Sequence, residues 1–206
     1  MKRACLILIA CLTALTMALA QEESPNAKQA RRIFDTAYAR VFGPQGSRLH
    51  YKVNIIGLYK TEGTICFKEK KQRFTDERVD TWNDGVTAYM AYRKKQTVEI
   101  HHANSDKKDK YSGRFKFSLD DFDYHVAADP DGLLLTLKQK KKAKGTIKEV
   151  RALVERGTYA PKELRIKVAF FWTTVHISDF HSGNISDQLF VFPKEKYKDW
   201  KVVDKR

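Results

Sequence analysis

Cysteine is scarce in this 206-residue chain: it occurs only at positions 5, 11 and 66. Cys5 and Cys11 fall in an N-terminal stretch that reads as a cleavable leader, which leaves Cys66 and excludes an intramolecular disulfide. An exported chain without disulfides is held together by its core alone. Acidic residues are outnumbered, 25 against 39 Lys and Arg, for a net charge of +14. That balance suits an anionic neighbour, such as a lipid surface or an acidic polysaccharide. Export argues against nucleic acid, and few aromatics interleave the basic runs "KKDK" (107–110) and "KQKKKAK" (138–144) as a single-strand groove requires. These runs read as a solvated loop and hairpin end, with a dedicated anion site as the alternative.

Catalytic and nucleotide-binding signatures are missing as well. The chain has no G-x-S-x-G, no P-loop, no G-x-G-x-x-G and no convincing pair of carboxylates for hydrolysis of an acidic polymer. His176, Asp179 and His181 give H-x-x-D-x-H, but on a strand His176 faces away from the other two, so a metal site needs a bulge. His101 and His102 are adjacent and point to opposite faces. Cys66, alternating within "TICFK", reads as a small buried hydrophobe. No cofactor is implied.

The one long apolar run spans roughly Ala4 to Leu19. It follows Lys2 and Arg3 and ends in Ala18-Leu19-Ala20, a small-x-small cleavage pattern. Polar Gln21, Glu22 and Glu23 come next, so no membrane span continues. A lipobox-like Leu8-Ile9-Ala10-Cys11 competes, but the apolar stretch before Cys11 is too short. Residues 1–20 are therefore expected to be a signal peptide and 21–206 one domain, with a net charge of +12 once Lys2 and Arg3 leave.

Residues 24–42 predict a helix. Ser24 suits the N-cap, Pro25 the first position, and Gly43 a left-handed C-terminal residue before Pro44. Ala30, Ile33, Phe34, Ala37, Tyr38 and Val41 form one apolar stripe. The period then changes to two in "LHYKVNI" (49–55), where Leu49, Tyr51, Val53 and Ile55 alternate with polar residues. Further strands are expected near 63–69, 73–80, 86–93, 96–103, 133–140, 147–155, 163–172, 173–181 and 187–192, divided by turns such as "NDG" (83–85) and "DPDG" (129–132). Residues 118–124 could form a short helix whose Leu119 and Phe122 share a face, and 104–114 reads as a loop.

Nearly every strand offers an apolar side, and one long helix and a short one, through Leu119 and Phe122, are available to cover it. Two readings stand. One is a simple core; the other is a curved sheet with a gap beneath a helical lid, able to hold an apolar ligand.

The order of segments resembles the periplasmic outer-membrane lipoprotein carrier family, the LolA-like proteins. It runs from leader and amphipathic helix through "LHYKVNI", "GTICFK", "NDG" before "VTAYMAY", "LLLTLK" and "ELRIKVAFFW" to "DQLFVFP" and "VVDKR". The clearest signature is Phe190-x-Phe192-Pro193 followed by Val203-Asp204-x-Arg206. The resemblance implies a mainly β fold with a helical lid: an open, unclosed antiparallel β-barrel whose apolar cavity receives acyl chains. It implies no enzyme but a periplasmic monomer that shields lipoproteins, or their lipid anchors, between the inner and outer membranes. Its partners would be an inner-membrane ABC-type release complex, an outer-membrane acceptor and, transiently, the membranes themselves. A lipid- or lipoprotein-sensing module on the same scaffold is the alternative. The expected cavity wall comprises Ile33, Phe34, Tyr51, Val53, Phe67, Met90, Phe122, Leu135, Ile166, Phe170, Phe190 and Phe192, with Pro193 ending an edge strand and the basic tail outside. Where family members carry a lid-latching arginine, this chain has Glu69.

Overall fold

The computed structural model describes residues 23–55, 59–105 and 118–206. The expected signal peptide, residues 1–20, and most of the 104–114 loop lie outside the described residues.

Helix α1 runs from Pro25 to Phe42. Ser24 starts it: its Oγ accepts the Ala27 N–H at 3.1 Å, satisfying one of the unpaired donors of the first turn. Ala30, Ile33 and Ala37, spaced by three and four, are its buried residues. The helix stops at Gly43, but not in the expected left-handed conformation. Gly43 is extended (φ −71°, ψ 178°), and its N–H returns to the Ala39 carbonyl at 2.8 Å. A Cβ there would stand 2.2 Å from that carbonyl oxygen, so close approach selects glycine. The left-handed turn falls three residues later, at Gly46 (φ +72°).

Twelve strands follow: β1 Ser47–Ile55, β2 Tyr59–Lys68, β3 Lys71–Asp76, β4 Val79–Asn83, β5 Thr87–Tyr92, β6 Thr97–His102, β7 Phe122–Asp129, β8 Gly132–Gln139, β9 Ile147–Val154, β10 Pro161–Val168, β11 Phe171–Ser182 and β12 Lys201–Asp204. They form one sheet in the order β12-β6-β5-β4-β3-β2-β1-β11-β10-β9-β8-β7. Neighbours are antiparallel except β12, which lies parallel to β6. The outermost strands, β12 and β7, do not pair with each other, so the sheet is unclosed. The architecture is mainly β, with an open antiparallel sheet and a long helix against it.

Four sequence expectations are corrected. Residues 73–80 are not one strand: the Asp76 carboxylate accepts the N–H groups of Arg78 and Val79 at 2.7 and 2.8 Å, turning the chain between β3 and β4. The 118–124 helix shrinks to one 3₁₀ turn, Leu119–Asp121. Phe122, Tyr124 and Val126 then alternate inward as β7, because three apolar residues at period two bury better on a sheet. The division between β10 and β11 comes at Ala169 (φ +54°), earlier than expected, so Phe170 lies on a turn. Residues 187–192 form no strand. Asp187–Phe190 is a 3₁₀ turn capped by Ser186, and Pro193 ends no edge strand; it leads into a second turn, Lys194–Tyr197. The real edge is β12, within the tail expected to lie outside.

Candidate functional site: an apolar face divided between cover and exposure

Residues directly opposite each other on paired strands share a face. Register therefore traces one face across the sheet. It carries Phe122, Tyr124 and Val126 of β7; Leu133, Leu135 and Leu137 of β8; and Val150 and Ala152 of β9. It continues through Leu164 and Ile166 of β10, Val175 and Ile177 of β11, and Val53, Tyr51 and Leu49 of β1. Beyond these lie Ile65 and Phe67 of β2, Phe74 of β3, Thr81 of β4 and Met90 of β5.

Helix α1 lies on this face. Its first turn is clamped to the edge strand: Asn26 donates its amide to the Val126 carbonyl at 2.8 Å and accepts the Val126 N–H at 3.0 Å. The side chain thus replaces a strand neighbour on an otherwise open edge. Arg31 adds a 3.2 Å ion pair to Asp120 and stands over the Tyr124 ring. The other end is tied by backbone and hydroxyl groups. Glu69 donates its N–H to the Phe42 carbonyl at 3.0 Å, Ser47 Oγ donates to Val41 O at 2.8 Å, and Ser182 Oγ donates to Arg40 O at 2.9 Å. The backbone of Glu69 fastens the helix end. Aromatic contacts link Tyr124, Phe34, Tyr38, Phe42 and Phe67 along the helix. Tyr38, expected to pack inward, is 47% exposed and rests against the rings of Phe34 and Phe42.

Cover is uneven. Beneath α1, a closed core joins Ala30, Ile33 and Ala37 to Phe122, Tyr124, Val126, Leu135, Leu137, Ile147, Val150 and Val154. Farther along the same face, Leu164, Ile166, Val175, Ile177, Val53, Ile65, Phe67, Phe74 and Met90 are only half-buried. Tyr51 sits within this second region, stacked on Phe74 with ring centroids 5.6 Å apart. Its hydroxyl is buried without a hydrogen-bond partner; Thr61 Oγ1 donates to Asp76 at 3.1 Å. Burial pushes the Tyr51 phenol up to about 12, so it stays a neutral donor at physiological pH. Gly63 pairs with Tyr51 across the strands; a Cβ there would stand 2.1 Å from the Thr75 carbonyl oxygen and 3.1 Å from the Tyr51 hydroxyl.

The residues expected along a cavity wall separate accordingly. Ile33, Phe34, Phe122, Leu135 and Ile166 lie in or against the covered core; Val53, Phe67 and Met90 lie half-buried on the less covered part of the same face, around a buried Tyr51. Three others lie elsewhere. Phe170 stands on the β10–β11 turn, 76% exposed. Phe190 and Phe192 belong to the opposite face. There Phe190 packs with Cys66 and Ile185, while Phe192 stacks on Tyr89 and meets Trp82 and Tyr197. Ion pairs hold that segment: Lys68 and Lys71 reach Asp187 at 3.0 and 2.7 Å. Alternation in "LFVF" mimicked a strand, and only these long-range contacts show otherwise.

A groove of about 780 Å³ crosses β1–β3; Val53 borders it, beside the charged and polar side chains of His50, Lys52, Lys60, Glu62, Arg93 and His176. The bulge that a histidine metal site requires does occur, at Asp179 (φ +50°). Among the described residues, however, no group of three or more His, Cys, Asp or Glu could hold a metal ion. None of the described helices is long and apolar enough to cross a membrane.

No family model and no curated protein matches the chain. Among solved structures, it is similar to an uncharacterized conserved protein from Thermus thermophilus, with a TM-score of 0.60 and 11% identity over 86% of this chain and 99% of that one. A LolA superfamily protein from Nitrosomonas europaea is similar at a TM-score of 0.36 and 8% identity, over 79% of this chain and 97% of that one. The lipoprotein LppX of Mycobacterium tuberculosis follows at 0.45 and 9%, over 77% and 98%. The last two likenesses are too weak to carry an argument; the first shows a shared fold, an open sheet with a helix on one face.

Proposed function

We propose that this chain is an exported carrier that shields acyl chains of lipoproteins, or of their lipid anchors, on the helix-bearing face of its sheet. One observation carries the reading: an apolar face is closed under α1 at β7–β9, with β10 packed against that core, and from β11 to β5 most of its residues are half-buried, Leu49 and Tyr51 being buried among them. A surface of this kind accepts hydrocarbon without unfolding the closed part. Each methylene kept from water is worth about 0.8 kcal/mol, so an acylated protein cannot cross an aqueous compartment unescorted. Binding and release require no covalent step. Val53, Phe67 and Met90 would contact the chains, with Ile166 at the border of the closed core. The sequence resemblance to lipoprotein carriers supports transfer from the inner to the outer membrane of a periplasm. It also supports handover from an ABC-type release complex to an outer-membrane acceptor, with residues 21–206 acting as one unit after removal of the leader.

The test is recovery of the tagged protein from its native envelope without detergent, followed by mass spectrometry of what it holds. Co-purifying acylated polypeptides at near-stoichiometric amounts are expected. Recovery of free phospholipid alone would replace the lipoprotein cargo with a lipid one, and recovery of no acylated species would reject the carrier reading.

A further inference from the structure

The β10–β11 turn presents its two phenylalanines outward. Phe170 is 76% and Phe171 67% exposed, with ring centroids 4.5 Å apart. Large apolar side chains are seldom paired on a surface without a use. Just below them Trp172 is half-buried, with Arg151 4.9 Å and Lys167 5.7 Å from its ring centroid. The tip is joined to the β8–β9 loop: Val168 pairs with Ile147, and the Ala169 N–H donates to the Thr146 carbonyl at 3.3 Å. That loop contains the lysine run "KKKAKG" (140–145), and no acidic residue occurs between 138 and 148. Lys140 donates to the Asp120 carbonyl and Lys148 to Gln139 and Gly145, fixing the loop ends. Lys141, Lys142 and Lys144 are exposed. A basic run that reads as a solvated hairpin end in the sequence thus stands beside an aromatic wedge.

We propose that this tip docks the protein on an anionic bilayer surface, with Phe170 and Phe171 entering the interface and the three lysines facing lipid phosphates. One apolar anchor and a polybasic patch together give reversible binding where either alone is marginal. Lysines near an anionic leaflet each strengthen binding about fivefold, and the effect fades within a Debye length of about 8 Å at physiological salt. A fluid bilayer accepts a protruding ring pair without a preformed pocket, which a folded acidic protein would have to supply. The inference goes beyond the carrier reading and holds whether or not the apolar face carries acyl chains.

Co-sedimentation of the mature protein tests it, using vesicles of phosphatidylcholine alone and of phosphatidylcholine with phosphatidylglycerol at two to one. Binding to the anionic vesicles only, weakened by salt, is expected. F170S/F171S should reduce it at least tenfold with no loss of thermal stability, since both rings are exposed. K141Q/K142Q/K144Q should reduce it about a hundredfold and flatten the salt dependence. The charge-matched control K70Q/K194Q/K198Q, on the β2–β3 turn and the C-terminal segment, should change it by less than about threefold. Equal loss in the control, full binding by F170S/F171S, or wild-type binding to soluble polyglutamate but not to vesicles would each overturn the assignment. A fluorescent fatty acid, reading the apolar face separately, should bind both tip variants as it binds wild type; loss there would place the tip in the acyl site and also overturn it.

Discussion

Val53→Asp places a charge on the less covered part of the apolar face, and Leu135→Asp places the same charge on its closed part. Val53 is half-buried, whereas Leu135 is 0% exposed beneath α1. Losing half of a valine's burial costs about 1 kcal/mol. The poorer strand preference of aspartate adds up to about 1 kcal/mol. The new carboxylate stays hydrated, so no unpaired-charge penalty follows. The total, about 2 kcal/mol, lowers Tm by about 4–8 °C in a chain of this size. At Leu135 the lost packing alone costs about 3–5 kcal/mol, and an uncompensated buried charge adds a similar amount. That sum rivals the whole stability of an ordinary domain, so this variant should show no cooperative melt. Ligand binding inverts the comparison. A carboxylate at position 53 keeps about four methylenes of an acyl chain from contact, a loss of about 3 kcal/mol or roughly a hundredfold in affinity. Thermal melting followed by circular dichroism, together with titration of a dansyl-labelled fatty acid, reads both effects. If Val53→Asp fails to fold, the face is a closed core at that point. If it folds and binds the probe like wild type, hydrocarbon binds elsewhere; either result refutes the reasoning.

Two more expectations concern the opposite face. Asp80 is buried and accepts hydrogen bonds from Arg73, Arg93 and Thr75 at 2.9, 2.8 and 3.0 Å. Burial by itself would push its carboxyl up, but these bonds outweigh burial and hold it below the ordinary range. A depressed folded-state value means stability that is full above the unfolded value, near pH 4, and is lost as pH falls through the folded one. Asp80→Asn should therefore cost about 2–3 kcal/mol at pH 7, with the gap to wild type closing below about pH 4 in urea titrations at several pH values. A constant gap across that range would mean that the ion pairs contribute nothing. Phe190→Ala should cost about 3–5 kcal/mol and open Cys66, whose buried thiol is held above its usual value, to rapid reaction with a thiol reagent. Acyl-probe affinity should be unchanged, since Phe190 is not on the helix-bearing face; a large loss would return it to the site.

Much of the architecture is legible in residue order. Ser24 and Pro25 mark the helix start, and period-two alternation in "LHYKVNI", "LLLTLK" and "ELRIKV" marks strands whose apolar residues prove to share one face. These signals are local, set by the geometry of helix and pleat. The capping by Asp76 of the Arg78 and Val79 N–H groups, which splits residues 73–80, is equally local: the aspartate stands immediately before the two-residue turn. Phe190 and Phe192 show where local reading stops. Their alternation is that of a strand, but no strand edge receives them, because β12 occupies the edge beside β6. Asp187 instead binds Lys68 and Lys71, and the segment folds over the face opposite α1. Likewise, Phe170 alternates with Val168 and Ile166 in sequence, yet a left-handed residue at Ala169 ends the strand before it. Periodicity tells which residues of one strand share a side. Which side of the sheet a distant segment covers, and how far a single helix reaches across twelve strands, depends on contacts between residues far apart in the chain, and these exist only in the folded molecule.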